Sequence, residues 1–313
     1  MSLASRRDYH QTIEYAGVME LGGWRSVAAP SALVFVQRTP SRTFAKMQRP
    51  TRIDVDALHR LVDALAIDEL FVEPALAVDL VETRATHLAY TLEDEGAYVA
   101  AFTHAGFTPT PTRWAHTKTL VLPTRGSHDE LVASLDGKVR RDVPASLDTL
   151  DSHDAKVESA VRFTARGFDD LTRAELDAIA ELHATWRATH AHHAYDAHFL
   201  ASLRRCFGRH GALILAHLGD ALVGVAHVLF VDRVTIYFDA FTAPEARESH
   251  ASLGLVIEAA RAGRGHGCDL VDLCAAWDER YPDLHADWKG FTAFKRRLAT
   301  SEVYYPPTFV LRR

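Results

Sequence analysis

The sequence is poor in the features that would classify it at once. Its 313 residues include three cysteines, Cys206, Cys268 and Cys274. An odd count makes no closed disulfide framework, and their separations lack zinc-ligand spacing, so they are expected as buried thiols in a reducing compartment. No apolar run approaches the ~20 residues that span a bilayer, so no transmembrane segment is expected. No apolar stretch follows Arg6-Arg7-Asp8-Tyr9-His10, so no secretory leader is expected and the expected location is cytoplasmic. A basic excess is also missing: 35 Lys and Arg against 41 Asp and Glu leave a net charge of −6. Such a balance cannot neutralise many phosphates, which excludes bulk DNA binding and leaves room only for a local anion site. The histidines His183, His190, His192, His193 and His198 contain no H-E-x-x-H spacing and are read as a solvated helix end, with no metal expected. There is no nucleophile elbow for Ser-His-Asp chemistry.

What is present is a globular composition, 48% apolar and 24% charged, arranged as alternating strands and helices. In the first half, residues 31–37 read as a buried strand. A helix capped by Asp54 runs to about Ile67, with Leu58, Leu61, Val62 and Leu65 at helical spacing. A strand over 69–78 is interrupted at Pro74, a helix over 93–105 stops at Gly106, and a strand covers 118–122. Ser127 and Glu130 have capping-box spacing before a helix that should continue through Leu131, Leu135 and Val139 toward Pro144.

The turn-rich stretch 148–154 is the expected domain boundary, giving domains 1–152 and 153–313. The second half reads as a strand over 158–164, a helix capped by Thr172, a helix over 197–207, and a hairpin turning at Leu218-Gly219-Asp220-Ala221. A strand over 234–238, a helix over 253–262 stopped by Gly263, Gly265 and Gly267, and a strand over 269–273 complete it. That order matches an acetyltransferase-like (GNAT) domain, and the first half repeats it more loosely. The fold class is α/β (α+β), with two tandem GNAT-like domains and a last strand that can return to the first.

One family resemblance follows from the order of several short motifs. Thr117-Lys118-Thr119-Leu120-Val121-Leu122, then Asp129-Glu130-Leu131, then Lys138-Val139-Arg140-Arg141-Asp142-Val143 resembles the FemAB-type strand, helix start and K-x-R-R close. Ala105-Gly106-Phe107 resembles the turn before it, and Glu69-Leu70-Phe71-Val72-Glu73-Pro74 an earlier strand. Gln48-Arg49-Pro50 resembles the family's Arg-Gly-Pro loop without its glycine, and Phe294-Lys295 is similar to a C-terminal Phe-Lys pair. The resemblance implies a twin-GNAT transferase that moves an aminoacyl or acyl group onto an amine such as that of a cell-wall (peptidoglycan) precursor peptide. It implies aminoacyl-tRNA or acyl-CoA as donor co-substrate and no tightly bound cofactor. Two other readings stay open: an acyl-CoA-dependent N-acyltransferase acting on a small metabolite, and a catalytically silent binding protein.

Candidate residues follow from charge and position. From Lys289 to the C-terminus there are six Lys or Arg and one acidic residue, Glu302, a basic end on an acidic chain. Within it Phe291, Phe294 and Leu298 mark one face of a short helix, with Lys295 beside them. Lys295 is the candidate for stabilising charge on an acyl carbonyl or on the departing oxygen. Asp239, interrupting the apolar strand Tyr237-Phe238-Asp239, is the candidate base for the attacking amine; Asp272 is the weaker, structural alternative. Lys138, Arg141 and Arg49 are candidate phosphate or substrate ligands, since guanidinium binds phosphate in a bidentate way. Tyr237, Phe294 and Trp288 are candidate substrate walls. The segment Arg247–Ser252 lacks the glycines of a coenzyme A pyrophosphate loop, which weighs against that donor.

Overall fold

A computed structural model describes residues 3–124, 126, 128–135, 137–142, 161–190, 195–247 and 249–313. The chain opens with helix α1 (Ile13–Leu21) and strands β1 (Arg25–Ala29), β2 (Ala32–Arg38), β3 (Thr43–Gln48) and β4 (Arg52–Asp54). Helix α2 (Val55–Leu65), strands β5 (Glu69–Glu73), β6 (Ala77–Val81) and β7 (Ala85–Ala89), helix α3 (Glu95–His104), and strands β8 (Thr108–Thr110) and β9 (Lys118–Pro123) follow. Next come helices α4 (His128–Ser134) and α5 (Gly137–Asp142), strand β10 (Val161–Gly167), and helices α6 (Arg173–His190) and α7 (Ala197–Phe207). Strands β11 (Gly211–Leu218), β12 (Ala221–Val231) and β13 (Val234–Thr242) lead to helix α8 (Ala251–Gly265) and strand β14 (Leu270–Asp272). Helix α9 (Lys289–Arg296) and strands β15 (Ser301–Tyr304) and β16 (Thr308–Arg312) close the chain.

The chain divides into two compact units, but not near residue 152. Residues 1–119, 278–284 and 303–313 form the first, and residues 120–277 and 285–302 the second. Composition marked a turn-rich stretch; the division follows contacts, and two later segments return to the first unit. The helix expected from Glu130 through Val139 is two helices, with α5 starting anew at Gly137; Ser127 and residues 143–160 lie outside the described residues.

The first unit is a mixed sheet in the order β1-β2-β3-β5-β16-β8, with β3 and β5 parallel, beside a small β4-β6-β7 sheet. Asp54 caps α2 by accepting the Ala57 N–H at 2.8 Å, as its spacing predicts. Leu58 and Val62 of α2 and Phe102 of α3 join Val34, Leu70 and Phe309 in one core. Phe102 stacks on Phe309 at 4.2 Å, so the returning strand β16 lies in the middle of that core.

The second unit is a sheet in the order β10-β11-β12-β13-β14-β9-β15, antiparallel except where β13 meets β14. Thr172 and Glu175 form a reciprocal capping box at α6, with Glu175 N–H to Thr172 Oγ1 at 3.2 Å and Thr172 N–H to Glu175 Oε2 at 2.8 Å. Helix α8 packs directly on the sheet because it carries glycine where side chains would collide. A Cβ on Gly254 would lie 2.1 Å from the Phe163 ring, and one on Gly263 1.8 Å from Thr235 Oγ1. Gly263 and Gly265 are therefore inside α8 rather than its stop; the turn comes at Gly267, φ +74°. Cys268 and Cys274 are buried, and Cys206 is half-buried. Among the described residues no helix is long and apolar enough to cross a membrane.

Candidate active site

The second unit gathers the chemistry on β13 and α9. Strands β12 and β13 pair with a one-residue bulge: His227 opposes Asp239 while the next residue, Val228, opposes Tyr237. A bulge turns neighbouring side chains to new directions. Tyr237 enters the core against α8, and Phe238 stacks on Tyr195 at 5.0 Å. Asp239 keeps Oδ2 buried with no hydrogen-bond partner. Burial pushes its carboxyl up to about 6, against a backbone N–H at Ala240 and the charge of Lys295, which both favour the ionised form.

Lys295 is held from below. Cys274 sits in the left-handed region, φ 52°, with its N–H on Asp272 Oδ1 at 2.7 Å. That turn presents carbonyls to which Lys295 Nζ donates, at 3.2 Å for Cys274 and 2.8 Å for Ala275. Nζ also lies 4.7 Å from the centre of the Phe291 ring. Burial pulls Lys295 down to about 8, while Cys274, Asp272 and Asp239 pull the other way. Asp272 thus acts as a brace for the turn. The site holds a carboxyl of raised pKa and an ammonium of lowered pKa that influence each other, the pattern of paired acid–base groups.

A cavity of about 340 Å³ opens where β13 ends, a size that suits a small ligand or part of a larger one. Thr242, Trp186 of α6, Ser252 of α8, and Phe294 and Arg297 of α9 line it. Arg297 is paired with Asp142 at 3.1 Å. Phe294 is therefore a cavity wall next to Lys295, as its place in the sequence suggests. Trp288 stacks on His285 at 3.8 Å, and Tyr237 belongs to the core rather than to an open wall. Arg141 is exposed on α5, and the side chain of Lys138 lies outside the described residues. Arg49 belongs to the first unit. It is buried, donates to the His116 carbonyl and lies 3.5 Å from the Tyr305 ring centre, so no open phosphate ligand is formed there. His183 is buried, its Nε2 3.1 Å from the Tyr195 carbonyl, rather than part of a solvated end. His190 stacks on Trp186; His192 and His193 lie outside the described residues.

Comparison with known proteins places this geometry. The family described as Acetyltransferase (GNAT) domain matches residues 138–289, which contain the bulged strand, α8 and the turn beneath Lys295. That match covers just under half of the chain. The whole chain has the fold of FemX: at 13% identity the match has a TM-score of 0.73 and covers 99% of this chain and 94% of that one. The C-terminal domain of a putative lysylphosphatidylglycerol synthetase from Agrobacterium fabrum is similar at TM-score 0.59 and 11% identity, covering 96% of this chain and 87% of that one. L-PGS from Bacillus licheniformis is similar at TM-score 0.56 and 9% identity, covering 100% and 94%. No curated protein sequence matches. The mixed α/β fold with GNAT-type sheets implied by the motif order is thus found, and most of the residues matched by the family lie in the second unit.

Sequence reasoning missed a charged network in the first unit. Lys118 is fully buried, donating to Glu279 Oε2 at 2.8 Å and Tyr304 Oη at 2.7 Å. Arg280 pairs with Asp278 at 2.7 Å and donates to the carbonyls of Thr117 and Tyr305, both at 3.0 Å. The signal available was a charged triplet, Asp278-Glu279-Arg280, in a segment with no periodicity. It reads as a loop until its partners are known.

Proposed function

We propose that the protein is an N-acyl or aminoacyl transferase whose GNAT domain carries the chemistry. Asp239 takes the proton of the attacking amine, and the amine nitrogen bonds to the acyl carbonyl carbon. The bond from that carbon to the ester oxygen of an aminoacyl ester, or to the sulfur of a thioester, then breaks, and the released alcohol or thiol takes up the proton that Asp239 accepted. Lys295, fixed by two carbonyls, faces the negative charge that develops on oxygen during this exchange. The observation that carries the reading is Asp239 Oδ2, buried and without a partner on a bulged strand, coupled to Lys295. An uncompensated carboxylate oxygen costs stability, and a proton-accepting role is a reason to keep one.

The acceptor is an amine on a peptide, in line with the likeness to FemX, and the location is cytoplasmic. Acyl-CoA as donor is favoured by the GNAT family match and by a cavity beside the start of α8. Aminoacyl-tRNA is favoured by the glycine-free segment before α8 and by the FemX-like fold. Purified protein offered acetyl-CoA or aminoacyl-tRNA with a lysine-containing peptide should transfer from one of them. Lys295→Ala and Asp239→Asn should each lower kcat by about 10²-fold or more while the protein stays folded. Unimpaired transfer by both variants would remove the proposed roles. Peptide binding without turnover on either donor would favour the silent binding protein.

A further inference from the structure

The cavity at the end of β13 offers more room than an acyl carbonyl needs. At about 340 Å³ it exceeds twice the ~150 Å³ of an engineered apolar cavity that takes up benzene. Its inner wall is the apolar core of the second unit. Leu253 of α8 and Leu298 after α9 belong to that core, 5% and 2% exposed, and Phe294 packs against it. Leu182 and Trp186 of α6 extend the apolar surface. A small acyl group, such as acetyl, glycyl or alanyl, would leave most of this volume unfilled and its walls without contacts.

Charge does not define the site. Among the described residues that line it, the carboxylate and guanidinium are those of Asp142 and Arg297, and they pair with each other at 3.1 Å. Two histidines border it: His190, whose ring stacks on Trp186 at 4.7 Å, and His250, at the head of α8. The remaining polar side chains are hydroxyls, those of Thr185, Thr189, Thr242 and Ser252. Such a lining gives a phosphate or an ionised side chain little to pair with, and it suits an apolar group. The cavity is built on the elements that carry the reacting pair. Phe294 precedes Lys295 on α9, and Thr242 follows Asp239 by three residues on β13. The Trp186 ring lies 6.1 Å from that of Phe241, which shares a strand face with Asp239.

Resting on the transfer reading, we propose that this cavity holds the body of the transferred acyl group, and that this group is bulky and apolar, the size of a benzyl or heptyl chain. The carbonyl carbon stays at Asp239 and Lys295, while the tail lies against Trp186, Phe294, Leu253 and Leu298. The same tail can arrive on a thioester, as in octanoyl-CoA, or on an aminoacyl ester, as in phenylalanyl-tRNA.

Binding without turnover is read by calorimetry and thermal unfolding of the full chain with octanamide and hydrocinnamamide, which carry tail and carbonyl but no leaving group. Acetamide is the small control. The two bulky amides should bind and raise Tm, acetamide should not, and Lys295→Ala should still bind them. Transfer to the lysine-containing peptide is compared for octanoyl-CoA against acetyl-CoA, and for phenylalanyl-tRNA against alanyl-tRNA. Within the series that is turned over, kcat/KM should favour the bulky donor by about tenfold or more, since each buried methylene is worth about fourfold. That series identifies the source of the acyl group. Ala243→Phe and Ser252→Phe each place a ring in the cavity, and should weaken amide binding and lower that ratio by about tenfold. Equal use of small and bulky donors would overturn the proposal. So would bulky amides that bind no better than acetamide, or binding unchanged in both filled variants. Bulky amides that bind while no donor is turned over would remove the transfer reading and keep the cavity's ligand class.

Discussion

The two units build the same parallel strand–helix–strand step and finish it differently. In the first, β3 and β5 are parallel with α2 between them in sequence; in the second, β13 and β14 are parallel with α8 between them. Where β3 ends, the chain closes on itself: Arg49 is buried, in the left-handed region, with its N–H on the Glu73 carbonyl. Where β13 ends, Thr242-Ala243-Pro244 borders an open cavity. Topology sets where a site can form, and the side chains at the strand end decide whether it opens. The interiors differ too. The first unit buries ion pairs around Lys118 and Arg280, while the second relies on close helix–sheet approach and isolates its charged pair at Asp239 and Lys295.

That contrast can be broken one residue at a time. The largest expected effect is in the first unit. Arg280→Leu leaves Asp278, 3% exposed, without its charged partner and should cost about 3–5 kcal/mol by denaturant unfolding. Adding Asp278→Asn should return part of it. In the second unit, Gly254→Ala drives a methyl group into the Phe163 ring and should cost about 1–3 kcal/mol. Phe163→Leu in the same chain should relieve it.

Asp239→Asn sharpens the comparison by its sign. The folded state holds the Asp239 proton more tightly than the unfolded chain between about 4 and about 6, so stability falls as pH rises through that window. Asparagine removes the neutral-pH penalty and should stabilise by roughly 1–2 kcal/mol while activity is lost. A loss of stability would mean that the carboxylate has a structural partner. The smallest effect is Thr172→Ala, which removes one arm of the α6 capping box and should cost about 1 kcal/mol.

Local chemistry was legible in the sequence where one residue's neighbours along the chain decide its role. Asp54, Thr172 and the hairpin before β12 are of this kind, and so is the alternation that makes the chain a tandem GNAT fold. Positions decided by distant contacts were not legible. Gly263 looks like a helix stop because nothing local reveals Thr235 beneath it. Arg49 looks like a ligand for phosphate because Tyr305 and His116 are far away in sequence. The unit division at Thr119 is hidden because residues 278–284 and 303–313 return across long separations. Asp239 was singled out as a charge in an apolar strand, and Lys295 from the basic C-terminal segment and the resemblance of Phe294-Lys295 to a family pair. Their mutual influence, and the carbonyls that hold Lys295, depend on a turn at Cys274 that has no sequence signature.

The most direct test of the Asp239–Lys295 assignment is the pH dependence of kcat/KM for amide formation. With Asp239 as base and Lys295 as cation, activity should rise through about pH 6 and fall through about pH 8, giving a bell. In Asp239→Asn the residual activity should lose the acid limb and keep the alkaline one. An acid limb that survives unchanged in Asp239→Asn would contradict the assignment.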